Sequence, residues 1–382
     1  MKILFLDQSG KLGGAELSLL DVASAFSPHC LVGVFQDGPF PQALASRHIP
    51  YQVLAQSSIA VSKESPWADG AKSLGQLAPL VATIARLGQD FDLIYTNTSK
   101  ALILGALASR LCGKPLVHHL RDIVSPEHFS RANRTLLVTA ANWCAAHVIA
   151  NSVATQAAFI AAGGAAQTIS VIYNGFAPAA YQTAPEARAD LRAELGWHDK
   201  FIVGHFSRLA PWKGQHILLE ALAQCPDPVV ALLVGDALFG EDDYVKGLYR
   251  QVQRLGLTHR VKFMGFRSDI PPLMQACDLI THTSIAPEPF GRVIVEAMLC
   301  QRPIVAAAAG GAVELVTDGE TGWLCPPNQA QTLGDLINHS YHHPEQTQAI
   351  AQAGYHHALT HFTLDQTHQA LRQLLGEFST KG

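Results

Sequence analysis

The sequence predicts an α/β protein of two successive domains, each built on its own parallel sheet. Three observations carry this. Short aliphatic runs alternate with longer amphipathic ones, the βαβ signature of parallel strands covered on both faces. That rhythm breaks at residues 179–200 and then restarts. The 382 residues suit two domains of ordinary size, and 48% hydrophobic against 15% charged residues supplies two buried cores.

In the first half the strand candidates are residues 3–6, 31–35, 51–54, 93–96, 116–120, 147–150 and 169–173. Between them Leu74, Leu77, Val81, Ile84 and Leu87 recur at helical spacing. Residues 179–200 are rich in Ala, Pro and charge and hold no long aliphatic run, so they read as the inter-domain connection. The second half offers strands at 201–205, 229–234, 261–264, 279–281 and 304–307, with helices such as 215–223 and 293–299. The tail, 351–378, reads as helical, with Ala358, Phe362, Leu371, Leu374 and Leu375 apolar.

Composition removes several classes. A formal charge of -4 gives no basic field for nucleic acid. Seven scattered cysteines without a CxxC pair fit a reducing compartment and no disulfide framework. The opening Met1–Asp7 run is too short for a signal peptide and reads as a buried strand. The longest apolar stretch, 101–111, is interrupted by Gly105 and Ser109 and closed by Arg110, short of a membrane span. A cytoplasmic protein is expected, and a peripheral contact at the inner face of a membrane is compatible with it.

In parallel α/β sheets ligands bind beyond the carboxyl ends of strands, at helix N-termini. Three segments stand there. Gly13 and Gly14 follow the first strand, where their N–H groups could meet an anion or simply make a tight turn. Arg208 and Lys213 flank a turn after the strand at 201–205, as a clamp for a pyrophosphate or as solvated surface cations. Glu288 and Glu296 are separated by seven residues, across a turn containing Pro289 and Gly291 and the start of a helix at Arg292 and Val293. The plainer alternative for Glu296 is a buried hydrogen-bonded or surface carboxylate, against which Glu288 on the preceding loop argues. Glu241-Asp242-Asp243 reads as solvated charge in a loop, and the histidines outside 118–119 as polar surface.

Glu288-x7-Glu296 resembles the EX7E motif of the retaining GT-B glycosyltransferases of family 4. Ser207-Arg208 and Lys213-Gly214 are similar to that family's phosphate-binding segment. Val234-Gly235-Asp236, Gly265-Phe266, Ala276-Cys277-Asp278 and Gly310-Gly311…Glu314…Gly319…Thr321-Gly322-Trp323 resemble its neighbouring blocks, in order, across residues 201–340. The amino half matches more loosely, through Gly13-Gly14 and Asn174-Gly175.

The resemblance implies two Rossmann-like domains facing a central cleft: an acceptor domain, 1–178 with a final helix at 360–382 crossing back to it, and a donor domain, 179–359. It implies transfer of a hexose from a nucleotide-diphosphate sugar, UDP favoured, to a glycan, lipid or small-molecule acceptor. Arg208 and Lys213 would hold the diphosphate, helped by backbone at Gly13, Gly14, Arg292 and Val293. Glu288 would hold the donor sugar and Glu296 the ribose, with Phe290 and Gly291 between them, while the base would lie near Gly265, Phe266 and Arg267. Neither a required metal nor another cofactor is expected. One departure concerns the fifth strand: Arg121 stands where many family members carry a histidine, with His119 two residues earlier on the same side, so His119 and Arg121 are candidates for acceptor chemistry or structural groups. A non-catalytic sugar-binding relative and a sugar-nucleotide epimerase are the alternatives. A dinucleotide oxidoreductase lacks its GxGxxG turn.

Overall fold

The computed structural model describes residues 1–54, 70–183, 185–238 and 240–379. The side chain of Leu74 and the last three residues of the expected 360–382 segment lie outside the described ones. The chain divides into two compact units, Met1–Gly175 with Leu364–Gly382, and Phe176–Thr363.

In the first unit β and α alternate: β1 (Ile3–Asp7), α1 (Gly14–Ser24), β2 (Cys30–Val34), α2 (Pro39–Ser46), β3 (Tyr51–Val53), α3 (Gly70–Gly88), β4 (Leu93–Thr96), α4 (Ser99–Cys112), β5 (Leu116–Leu120), α5 (Arg131–Cys144), β6 (His147–Ala150), α6 (Val153–Ala161) and β7 (Ile169–Val171). The strands form one parallel sheet in the order β3-β2-β1-β4-β5-β6-β7. Alternation along β1 splits the core in two. Leu4 and Leu6 pack with α3 to α6, through residues such as Ile84, Leu104, Leu137 and Phe159. Ile3 and Phe5 pack with Leu19 of α1 and Phe40 of α2.

The second unit opens with α7 (Pro185–Leu195) and continues β8 (Phe201–Phe206), α8 (Gln215–Leu222), β9 (Val229–Val234), α9 (Asp242–Arg254), β10 (Val261–Phe263), α10 (Ile270–Ala276), β11 (Leu279–His282), α11 (Arg292–Leu299), β12 (Ile304–Ala307), α12 (Ala312–Leu315), β13 (Trp323–Cys325), α13 (Ala330–His342) and α14 (Pro344–His361). Its sheet is also parallel, ordered β10-β9-β8-β11-β12-β13. In both sheets the order reverses beside the first strand of the unit, between β1 and β4 and between β8 and β11. Such switch points open a crevice at the strands' carboxyl ends.

Three expectations need correction. Residues 179–200 are not a bare connection: α7 belongs to the second unit. Arg188 and Arg192, one turn apart, reach the Asp278 carboxylate at 2.7 and 3.1 Å, so ion pairs replace the missing aliphatic run. The strand β13 went unseen because three residues carry too little pattern. The helical tail, 351–378, is divided in two at Phe362. α14 stops at Phe362, which is buried in the second unit. The last helix, α15 (Leu364–Ser379), packs Leu371 and Leu375 into the first unit's core. The apolar spacing runs straight through a break at which the chain changes units. Within the first unit α15 is pinned by Thr367 Oγ1 donating to the Tyr173 carbonyl at 3.0 Å and by Arg372 donating to that of Ala25 at 3.0 Å.

Candidate active site

The switch point of the second sheet gathers most of the expected donor residues. After β8 the chain makes a short turn, Pro211–Lys213, ending at Gly214. Two bonds tie this turn to the loop after β11: Ile285 N–H donates to the Trp212 carbonyl at 2.8 Å, and Thr283 Oγ1 to that of Lys213 at 2.9 Å. Gly214 has φ +72, and a Cβ there would lie 2.0 Å from the Thr283 carbonyl oxygen. Only glycine permits this approach.

The consequence is the placement of Lys213. Its Nζ donates to both Glu288 oxygens, at 2.9 and 2.7 Å, and lies 4.0 Å from the centre of the Trp212 ring. Ser284 Oγ donates to Glu288 Oε2 at 2.8 Å, and His282 Nε2 is 3.2 Å from the same oxygen. Burial alone would push the Glu288 carboxyl up; the Lys213 charge and His282 outweigh it and hold the group well below the usual carboxylate range. Glu288 is held from behind as well, since its carbonyl accepts from Gly311 N–H at 2.7 Å.

Arg208 turns to Glu241, Nε to Oε1 3.4 Å, and its Cζ lies 6.0 Å from the same Trp212 ring. The expectation that Glu241 is solvated charge is therefore wrong: its other oxygen accepts from Leu238 N–H, and the group sits just before α9 as the counter-ion of Arg208. Both cations stand against Trp212, so they converge. Arg292 and Glu296 pair along the first turns of α11 at 3.3 Å, with the Arg292 guanidinium 4.6 Å from the Phe176 ring. Val293 follows at the head of this helix and Gly291 precedes it at φ +96. Phe290 is 2% exposed, packed between Phe176 and Phe362, so any contact with a ligand falls to its backbone. After β10, Gly265 accepts from Gly235 N–H at 2.8 Å, Phe266 is 61% exposed, and Arg267 is clamped by Asp269 at 2.7 Å.

The switch point of the first sheet holds a buried polar chain. Asp7, ending β1, accepts from Asn97 Nδ2 at 2.8 Å; Asn97 Oδ1 accepts from Arg121 Nε at 3.0 Å; Arg121 Nη1 donates to Asn174. Burial first, and then the Glu16 carboxylate, raises the Asp7 carboxyl to about 8. Glu16 accepts from Gly13 N–H at 3.0 Å, which closes the Gly13-Gly14 turn on the start of α1. His119 is 1% exposed, with Nδ1 against the Tyr95 hydroxyl. Burial, then the charge of Arg121, pushes its pKa far down, so the ring is neutral. His119 and Arg121 do share a side, but both lie within the fold.

The sequence missed Ser284, Asn97 and the acid pair Asp7 and Glu16, and offered Asn174 only within a loosely matching block. It also misread two histidines as surface: His205 and His282 are 2% and 5% exposed. His205 was legible as the last residue of the expected strand 201–205, whereas His282 falls one residue beyond the expected strand 279–281.

The family model for glycosyl transferases group 1 matches residues 187–357, and that for glycosyltransferase family 4 matches residues 12–179. The crystal structure of Anabaena HepE in complex with UDP-glucose is 54% identical, with a TM-score of 0.92 over 99% of this chain and 100% of that one. The chain belongs to glycosyltransferase family 4. Its two parallel-sheet domains match those of the GT-B glycosyltransferases. This glycosyltransferase is also 35% identical to spore coat protein SA of Bacillus subtilis (strain 168) over 170 residues, 40% of this chain and 44% of that one. It is 34% identical to D-inositol 3-phosphate glycosyltransferase of Mycobacterium tuberculosis (strain F11) over 211 residues, 52% of this chain and 42% of that one. The matches thus span less than half of those two relatives.

Proposed function

We propose that this glycosyltransferase moves a hexose, glucose first among candidates, from its UDP-sugar to a carbohydrate, lipid or small-molecule acceptor with retention of configuration and without a required metal. The single observation that carries the reading is the Lys213–Glu288 pair at 2.7 Å, set against Arg208 and Trp212 at a sheet switch point. The 54% identity to a protein crystallised with UDP-glucose supports the choice of donor.

Breaking the bond from sugar to phosphate leaves negative charge on the diphosphate and positive charge on the ring. Arg208 and Lys213 are placed to neutralise the first; fixed cations at a site of developing charge need no reorganisation during the reaction. The first-turn N–H groups of α11 lack intrahelical acceptors and favour the same anion. Glu288, kept ionised by its partners, accepts sugar hydroxyls and tolerates positive charge on the ring. Glu296 takes the ribose hydroxyls. His119 and Arg121, buried as they are, position the loops around Asn97 and Asn174 and do not touch the acceptor.

Arg208→Ala and Lys213→Ala are each expected to lower turnover at least about a hundredfold, which is about 2.7 kcal/mol in barrier. The measurement is UDP release from UDP-glucose with and without acceptor. Undiminished turnover in either variant removes that residue from the leaving-group site. Activity is expected to survive excess EDTA, and a strict divalent requirement overturns the metal-free reading.

A further inference from the structure

Helices α3 to α6 cover one face of the first sheet, and the outer side of α4, α5 and α6 has an uneven composition. Residues 93–185 contain two carboxylates, Asp122 and Glu127, and both fall between β5 and α5. None lies on α4, α5 or α6, whereas Lys100, Arg110, Lys114, Arg131 and Arg134 lie on or beside them. The same side carries large exposed apolar groups: Leu107 and Leu111, one turn apart on α4, at 46% and 69%, Trp143 on α5 at 75%, and Ile160 on α6 at 38%.

These groups form one edge. Arg110 donates to the Trp143 carbonyl, which ties the end of α4 to the end of α5. Asn142 donates to the Gly163 carbonyl and accepts from Ala165 N–H, both at 2.9 Å, which ties α5 to the turn after Ile160. In a βαβ unit the helices run antiparallel to the strands. Leu111, Trp143 and Ile160 therefore mark the end where strands begin, opposite the carboxyl ends that hold Asp7, Asn97 and Arg121. Asp92, which starts no helix but lies at this same end, accepts from Lys2 N–H at 2.7 Å and faces the chain's amino terminus at 4.0 Å.

We propose that this edge docks on an anionic lipid bilayer, with Trp143 and Leu111 entering the headgroup layer and Arg110 and Lys114 facing lipid phosphates. An exposed Trp beside leucines is suited to an interface with one apolar and one wet side. Cations unmatched by carboxylates on their own helices suit a surface of uniform negative charge better than the mixed charge of a protein partner. No helix among the described residues is long and apolar enough to cross a membrane, so the contact is peripheral.

The test is co-sedimentation of the full chain with vesicles of phosphatidylcholine alone or mixed with phosphatidylglycerol, without nucleotide sugar, so the outcome is independent of the transferase reading. Partition is expected into the mixed vesicles, weakening as salt rises. The double variant Trp143→Gln with Leu111→Gln is expected to partition at least about tenfold less, and Lys114→Glu to lose preference for the anionic lipid. Circular dichroism checks that the variants fold. Should the double variant fail to fold, brominated lipid supplies the second readout: it quenches the wild-type tryptophan signal, and Trp143→Phe removes that quenching. The proposal is overturned by absent wild-type partition, by equal partition of a folded double variant, or by a dimer that depends on Leu111 and Trp143 and ignores vesicles.

Discussion

Glu288 is 8% exposed and Asp7 fully buried, yet the two carboxyls move in opposite directions. Glu288 has Lys213 at 2.7 Å, and the pair's attraction exceeds the cost of burial. Asp7 has amide donors and a more distant guanidinium, while the Glu16 carboxylate repels it. A folded-state pKa near 8, above the unfolded value, gives Asp7 a stabilising contribution that is full below the unfolded pKa and is lost as pH rises toward about 8. The Glu288 contribution has the reverse sign: present above the ordinary carboxylate value and lost only in strong acid. Melting temperature from mildly acidic to mildly basic pH should thus fall less steeply in Asp7→Asn than in the wild type. Glu288→Gln should shift the curve without changing its slope. Because the Asp7→Asn change sets a second amide against the Asn97 donor, the level of its curve is uninformative and the slope decides; parallel curves refute the assignment. At this scale the sequence spoke unevenly. Lys213 and Glu288 were legible, since turn glycines mark where they stand. Asp7 and Asn97 were not, because a buried polar pair is defined by who lies opposite in the sheet.

At the scale of elements, the loop after β8 depends on one backbone approach. Gly214 and Gly256 have similar φ, +72 and +69, but only at Gly214 would a Cβ meet other atoms, the Thr283 carbonyl oxygen at 2.0 Å. Alanine at either position costs about 1–3 kcal/mol for the left-handed backbone. At Gly214 the collision adds to that and pushes Lys213 away from Glu288. Gly214→Ala should melt earlier than Gly256→Ala and lose turnover, while Gly256→Ala keeps it; the check is a melt and an activity assay side by side. Equal losses would deny the loop any part in placing Lys213. Elements with long runs, such as β9 and β12, were legible to the residue because burial on both faces leaves continuous aliphatic stretches. The helices α7 and α15 were harder. One substitutes ion pairs for apolar packing, and the other continues its predecessor's spacing across a change of unit.

For the molecule as a whole, the division into two units has a thermodynamic consequence. Every cation and acid proposed to grip the donor (Arg208, Lys213, Glu288 and Glu296) lies within Phe176–Thr363, which has its own sheet and core. A ligand that binds only the folded form stabilises by mass action, by about 2.7 kcal/mol at a hundredfold excess over Kd. That stabilisation belongs first to the unit that holds the ligand, since separately cored units need not unfold as one. UDP or UDP-glucose should therefore slow amide exchange at residues 207–215 and 283–296, which join Lys213 to Glu288. Exchange in β6, inside the first sheet, should be unchanged. Hydrogen exchange with and without UDP-glucose, beside a guanosine analogue, reads both the site and the base. Protection confined to the first unit would move the donor to the Asp7–Asn97 switch point and leave the Lys213–Glu288 pair a structural ion pair.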